Sequence, residues 1–212
     1  MTLSFFGMGL TILATAVMAA SAAIQAARHN MDMFGATVLA FATALGGGTV
    51  RDLLIGRVPV FWISDLTYVA TVVPVALLFY YLATRMEAGN GVRLRWLLRL
   101  DALGLALFTL IGVRVALQYE TPAVIAVIIG CITGTVGGMI RDLLSNVTPA
   151  VLKEDLYATI SLAGGGLYVL LASHAGQGVA LTISFLAMLI VRLVVLERMP
   201  VKGDGSANSG RG

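Results

Sequence analysis

Two short motifs carry the residues that could do chemistry in this otherwise apolar chain. Each has the pattern Gly-Gly-x-x-Arg-Asp-Leu-Leu, which places a guanidinium and a carboxylate behind a glycine cluster. The motif residues are Gly46, Gly47, Gly48, Arg51 and Asp52 in the first copy, and Gly137, Gly138, Arg141 and Asp142 in the second. Such residues suit ion handling, because glycines can free backbone carbonyls and charged groups can steer ions. No nucleophile or histidine stands beside them, so the motifs indicate no enzyme, catalytic residue, metal site or cofactor.

The two motifs belong to a duplicated unit. Gly47 and Gly137 are 90 positions apart, and each copy is followed at the same distance by a proline and then an aspartate. These residues are Pro59 and Asp65 after the first copy, and Pro149 and Asp155 after the second. Agreement at so many positions favours an internal repeat.

The composition indicates an integral membrane protein. Of the 212 residues, 58% are hydrophobic and only 12% are charged, with a mean hydropathy of +0.93. A soluble domain carries about 25% charged residues. A buried core cannot explain the difference in a protein this small, because most of its residues lie near the surface.

Charge-poor runs predict seven transmembrane helices and no strands. The runs cover residues 2–27, 33–50, 66–84, about 101–118, 121–140 and 156–191. The last run is long enough for two spans of roughly 20 residues, with a turn near His174 and Gly176. We therefore predict an all-α membrane protein in which two inverted repeats of three helices precede one extra C-terminal helix. The single transmembrane domain would cover 1–199, with repeat one at about 3–84, repeat two at about 98–173, the seventh helix at about 177–198, and a disordered tail at 200–212.

The basic residues fall on one predicted side of the membrane. An odd number of spans in each repeat inserts the two copies in opposite orientations, and seven spans place the termini on opposite sides. One side then carries most of the cations, which are Arg28, Arg85, Arg93, Arg95, Arg99, Lys153, Arg198, Lys202 and Arg211. The positive-inside rule assigns that side to the cytoplasm. We predict a multi-pass protein of the cytoplasmic membrane, with its N-terminus outside and its C-terminus inside.

The glycine clusters have two interpretations. Each glycine costs up to about 1 kcal/mol in a helix interior, so three in succession favour a bend or an interruption of the helix. Unwound backbone in a membrane would line a water-filled route and offer its carbonyls to a cation. Close helix packing is the alternative, since small residues let helices approach in lipid. Threonines beside the glycines are the candidates for lining a pore; they are Thr43, Thr49, Thr133 and Thr135.

The two Arg-Asp pairs would lie on opposite sides of the membrane, one at the end of the second helix and one at the end of the fifth. Adjacent residues are about 100° apart on a helix, so we expect the two members of a pair not to face each other squarely. Arg51 lies near the outer end of helix two and Arg141 near the inner end of helix five, so we expect no direct bridge between Arg51 and Asp142. We expect each charge to meet helix carbonyls or loop acids such as Asp65 and Asp155, or to act as an interfacial anchor.

The double motif, with Met31–Gly35 before the first copy and Asp101–Phe108 before the second, resembles the prokaryotic members of the trimeric intracellular cation (TRIC) channel family. Relatives of this kind often carry a glycine transporter label. The resemblance implies a homotrimer with a separate pore through each protomer, conducting monovalent cations, chiefly potassium. It implies that the motif glycines and the two Arg-Asp pairs lie along that pore. The second copy departs from a triple glycine, because Val136 stands where the third would fall.

These observations leave three functional classes open. We predict a potassium-permeable channel, whose partners would be its own copies, membrane lipids and the permeant K⁺ or Na⁺; nothing indicates nucleic acid. A secondary transporter for a small zwitterion such as glycine would also use inverted repeats and broken helices. A membrane scaffold without transport would fit glycines that serve packing alone.

Overall fold

The computed structural model describes residues 5–86, 91–153 and 156–198. Across these residues the chain forms eight helices and no strand. They are α1 (Phe5–Arg28), α2 (Met33–Leu54), α3 (Thr67–Arg85), α4 (Val92–Gln118), α5 (Ala123–Leu144), α6 (Ala150–Lys153), α7 (Ala158–Ala172) and α8 (Gln177–Arg198). The predicted all-α architecture is confirmed, and the seven predicted spans correspond to every helix except α6, which is a single turn.

Six of the helices are long and apolar enough to cross a bilayer, and α7 is shorter, with 15 residues. The fourth helix differs from its predicted start, because α4 begins at Val92 rather than near Asp101. Its first turns therefore contain Arg93, Arg95 and Arg99, which were expected in a loop. Long arginine side chains can remain helical there, since their charged ends reach polar surroundings at the membrane boundary. The predicted disordered tail lies outside the described residues.

The repeat is visible in the backbone conformation as well as in the sequence. Asn30 and Glu120 both adopt positive φ, at 53° and 59°, and Gly56 and Asn146 do the same, at 70° and 55°. Both pairs are separated by the same 90 positions as the motifs. Helices α1, α2 and α3 thus correspond to α4, α5 and α7, and α8 has no counterpart. Because the first unit crosses the membrane three times, the second unit is inserted in the opposite orientation.

Helices α1, α2, α4 and α5 form the centre of the molecule, and α3 packs against α1 and α2. Helix α7 packs against α5 and α4, and α8 packs against α7 and α4. Small residues make this packing close. Helix α1 buries Ala14, Ala19, Ala22, Ala23 and Ala26 completely. Backbones that approach this closely gain van der Waals contact, which is a main source of helix association in lipid.

Candidate functional site

The glycine clusters lie where α2 crosses α5. A side-chain carbon at Gly47 would overlap the carbonyl oxygen of Thr133, and one at Gly137 would lie 2.5 Å from the carbonyl oxygen of Thr43. Each glycine therefore admits the backbone of the opposite helix, and the two contacts repeat each other by the internal symmetry. Only glycine fits at these two positions without moving a helix.

Both helices remain α-helical through their glycines, from Met33 to Leu54 and from Ala123 to Leu144. The helices are therefore not interrupted at the glycines, and a bend there stays a prediction. The cost of several glycines is offset because their bare backbones pack against neighbouring groups instead of water. A side-chain carbon at Gly48 would lie 2.5 Å from the Phe61 ring, and one at Gly46 would lie 2.5 Å from the Ile140 side chain. This geometry supports the packing interpretation.

The four candidate pore threonines bond to their own helices. Each hydroxyl donates to the carbonyl four residues earlier, at 2.6–2.8 Å. Thr43 and Thr133 are buried, whereas Thr49 also accepts a hydrogen bond from the Trp62 indole at 3.0 Å. Such bonds satisfy a hydroxyl in lipid and leave its second lone pair available. A pore-lining role for Thr43, Thr49, Thr133 and Thr135 stays a prediction.

The first Arg-Asp pair closes the C-terminal end of α2. Arg51 binds Asp52 Oδ1 through both Nε and Nη2, at 2.8 and 2.7 Å. The other carboxylate oxygen, Oδ2, accepts the backbone N–H of Phe61 at 2.8 Å. The Arg51 guanidinium also lies over the Phe61 ring, 5.4 Å from its centroid, and Arg57 Nε approaches Asp52 Oδ2 to 3.8 Å. The carboxylate thus ties the helix end to the loop that follows it.

The second pair repeats this arrangement at the end of α5 and adds to it. Arg141 Nε and Nη2 both lie 2.9 Å from Asp142 Oδ1, and Asp142 Oδ2 accepts the backbone N–H of Ala150 at 3.3 Å. The Nη1 group of Arg141 also donates to Asp101 Oδ1 at 2.7 Å and to the Ser21 hydroxyl at 3.1 Å. One guanidinium therefore connects α1, α4 and α5.

A tyrosine and a second arginine add contacts to this cluster that the first Arg-Asp end lacks. The Tyr157 hydroxyl donates to Asp101 Oδ2 at 2.8 Å, so both oxygens of that carboxylate are bonded. Arg192, on α8, places its guanidinium 4.6 Å from the centroid of the Tyr157 ring. The glycine Gly138 lies beneath this group, since a side-chain carbon there would be 3.2 Å from both Asp101 Oδ1 and the Tyr157 hydroxyl. A larger residue at Gly138 would crowd the cluster.

Two expectations about the charges are corrected here. The members of each Arg-Asp pair do bind each other, because a long arginine side chain bends across the 100° that separates adjacent residues. Asp65 is not a partner of Arg51; it accepts the backbone N–H of Thr67 at 2.9 Å. Asp155 lies outside the described residues. As expected, among the described residues no ion pair joins Arg51 to Asp142.

Sequence reasoning missed the partners that other helices supply to the second pair. The sequence marks Asp101 as the start of a span, but a carboxylate next to an apolar run also signals a buried function. Arg192 gives the same signal in the last span. Ser21 and Tyr157 carry no such mark, because their contacts depend on how the helices pack.

Comparisons with known proteins agree with this geometry. A family model described as "Glycine transporter" matches residues 8–84 and 98–173. A UPF0126 membrane protein of Vibrio cholerae is 42% identical over 182 residues, which cover 84% of this chain and 74% of the relative. The UPF0126 inner membrane protein YadS of Escherichia coli is 42% identical over 158 residues, 74% of each chain.

A solved structure extends the similarity to three dimensions. The structure of the TRIC trimeric intracellular cation channel orthologue from Rhodobacter sphaeroides superposes with a TM-score of 0.86 at 36% sequence identity. The match covers 92% of this chain and 98% of that one. The two Arg-Asp ends and the glycine crossing between them lie within the matched family segments.

Proposed function

This chain belongs to the family whose model is described as "Glycine transporter", as a prokaryotic relative of the TRIC channels, and from that premise we propose that it is a cation channel. In finer detail, we propose a potassium-permeable channel that assembles as a homotrimer, with one pore through each protomer. It is not an enzyme. The observation that carries the proposal is the superposition with a solved channel over nearly the whole chain.

The buried charges support a route along α2 and α5. Arg51, Asp52 and Arg141 are all at most 2% exposed, although each belongs to a helix that crosses the membrane. Ionisable groups inside spans are costly, and proteins keep them where they face an interior path. The two charged ends lie at opposite ends of the helix pair, and the glycine crossing lies between them. We propose that ions pass along this pair.

The glycine crossing closes the route in this conformation. Backbone contacts at Gly47 and Gly137 leave no room for an ion between α2 and α5 at that level. Conduction therefore requires the two helices to move apart there. Such movement is easier at Gly47 and Gly137, because these two residues have no side chains to interlock with the opposite backbone. The threonine hydroxyls beside the crossing would then be available to a partly hydrated cation.

We place the channel in the cytoplasmic membrane with its C-terminus inside. The relative from Escherichia coli is named an inner membrane protein, which supports the location. The orientation rests on the cations near one end of the helices, among them Arg28, Arg85, Arg95 and Arg99. Attaching a reporter that is active only in the cytoplasm to each terminus tests it. Activity at the N-terminus alone would reverse the orientation.

Planar-bilayer recording of the purified protein tests the function directly. We expect unitary current steps in KCl and, under a KCl gradient, a reversal potential close to that of the cation. Replacing K⁺ with Na⁺ then measures selectivity between them. Absence of steps over a range of voltages and lipid compositions would contradict the channel, and a reversal potential near that of chloride would contradict cation selectivity.

A secondary transporter for glycine is the second candidate, because the matching family model carries that description. An uptake assay with proteoliposomes that contain no internal glycine distinguishes a carrier from a channel. Saturable uptake of labelled glycine in the absence of current steps would establish a carrier. A membrane scaffold would give neither uptake nor steps, and would leave the glycines with a packing role only.

A further inference from the structure

A polar cavity of about 150 Å³ opens between α4, α7 and α8, away from the α2–α5 crossing. Its lining residues are Arg114, Leu117, Gln118, Tyr168 and Gln177. The charge in this cavity is a guanidinium, and the remaining polar groups are two amides and a phenol. All of them can donate hydrogen bonds, and no carboxylate is among them. The lining therefore suits an anion.

Arg114 stands apart from the other arginines that are embedded in the helix bundle. Within the part of the chain that the structure describes, it forms no ion pair and no side-chain hydrogen bond. It lies four residues before the end of α4 at Gln118, or roughly 6 Å along the helix axis. From that position a long arginine side chain can reach the polar boundary of the membrane. A cation held there without a carboxylate favours a phosphate.

The internal repeat shows that the fold does not require this cavity to be polar. Ile24 corresponds to Arg114 by the 90-residue offset, and Leu78 corresponds to Tyr168. Around Ile24 the first repeat also has a cavity, of about 210 Å³, but its lining is apolar and includes Phe79, Leu82 and Trp96. The polar lining is specific to the second repeat, at the opposite membrane face.

We propose that the Arg114 cavity binds the phosphate of an anionic lipid headgroup in the leaflet opposite the basic end of α4. The planar guanidinium can bind two phosphate oxygens at once, and the Tyr168 hydroxyl and the glutamine amides can donate to the others. The two helices that carry Tyr168 and Gln177 also expose apolar side chains to the membrane; Leu170 is 67% exposed and Val179 is 50% exposed. An apolar surface beside the cavity favours a phosphate that is carried by lipid over a free one.

Native mass spectrometry of the full chain, released from detergent with added phosphatidylglycerol, tests the proposal. Arg114→Gln should weaken retention of this lipid about ten-fold or more, because a charge-assisted hydrogen bond is lost. Arg99→Gln is the matched control, since it removes an exposed arginine from the opposite end of the same helix. Arg114→Lys should retain binding only in part, because lysine keeps the charge but not the planar fork.

The outcomes separate the sources of phosphate. Retention that falls in Arg114→Gln and not in Arg99→Gln, and that resists millimolar inorganic phosphate, supports a lipid site. Displacement by inorganic phosphate, together with its own Arg114-dependent binding, would overturn the lipid and leave a soluble anion. Equal retention in both variants would overturn the site altogether. If Arg114→Gln does not fold, the double variant Tyr168→Phe with Gln118→Leu gives the same readout, and full retention in it would overturn the proposal.

Discussion

The Arg51 end and the Arg141 end arise from the same motif, yet they differ in what surrounds them. In both, the arginine binds one oxygen of the adjacent aspartate and a loop amide binds the other. The Arg51 end adds only an aromatic ring and the distant Arg57. The Arg141 end adds a second carboxylate, a serine and a tyrosine. A duplicated motif has kept its internal contacts while its surroundings have diverged.

The divergence follows from positions on the helices that flank each motif. Asp101 corresponds to Thr11 by the 90-residue offset, and Ser21 corresponds to Ile111. Thr11 satisfies its hydroxyl on the carbonyl of Gly7 and offers Arg51 no charge. Helix α8, which has no counterpart, brings Arg192 to the second end only. The two ends of the α2–α5 pair therefore differ in charge and in the number of helices that they connect.

The largest expected effect comes from removing each arginine in turn. Arg141→Met leaves Asp101 and Asp142 buried without their shared cation, and should destabilise the protein by about 3–5 kcal/mol. Arg51→Met leaves only Asp52, with Arg57 nearby, and should cost less. The free energy of unfolding in detergent measures both, with the exposed Arg99→Met as control. Equal losses would mean that the additional contacts at the second end contribute nothing to stability.

The glycine crossing should behave in the opposite way, because its two contacts are equivalent. Gly47→Ala and Gly137→Ala each place a methyl group against a carbonyl of the other helix, and each should cost about 1–3 kcal/mol through overpacking. Gly9→Ala is the control, since nothing lies within 4 Å of a side-chain carbon there. Thermal unfolding of the three variants gives the comparison. A large difference between Gly47→Ala and Gly137→Ala would contradict the symmetry of the crossing.

A smaller effect is expected from one hydroxyl at each end. Tyr157→Phe removes a hydrogen bond to Asp101 and should cost about 1–1.5 kcal/mol. Tyr68 packs on the Phe61 ring near the first end, with ring centroids 4.8 Å apart, and its hydroxyl has no hydrogen bond among the described residues. Tyr68→Phe should therefore change stability little. If denaturant unfolding gives equal losses of stability for Tyr157→Phe and Tyr68→Phe, the hydrogen bond to Asp101 does not explain the loss.

The smallest effect concerns the loop acid that was expected to support the first end. The Thr67 hydrogen bonds to the exposed Asp65 carboxylate lower the pKa of that carboxyl below its ordinary value. A lowered pKa in the folded state means stability that is present at neutral pH and is lost as pH falls through the folded pKa. Asp65→Asn should remove this pH dependence in the acidic range and leave Arg51 unaffected. The free energy of unfolding, measured from neutral to acidic pH, checks this prediction. A loss of stability in Asp65→Asn as large as that in Arg51→Met would contradict it.

Much of the fold could be predicted because the hydrophobic effect acts on long segments. Runs without charge gave the helices, and the spacing of the two motifs gave the repeat. The glycines were harder to interpret, since the sequence shows a helix-weakening residue at Gly47 but not the Thr133 carbonyl that packs against it. The cluster around Arg141 could not be predicted from the sequence for a similar reason. Its members come from separate segments of the chain, and only their packing brings Ser21 and Asp101 to the guanidinium and Tyr157 to Asp101.

The short helix α7 has a consequence for the surrounding bilayer. Its 15 residues rise roughly 22 Å, about 8 Å less than a typical hydrocarbon core. The lipid beside α7 must become thinner than elsewhere around the protein, or admit the polar turns that flank the helix. Tyr168 lies one turn from the end of α7, so local thinning would bring the headgroup layer to the level of Arg114. Reconstitution in lipids of increasing acyl-chain length would then increase the hydrophobic mismatch first on the side of the protein that carries α7.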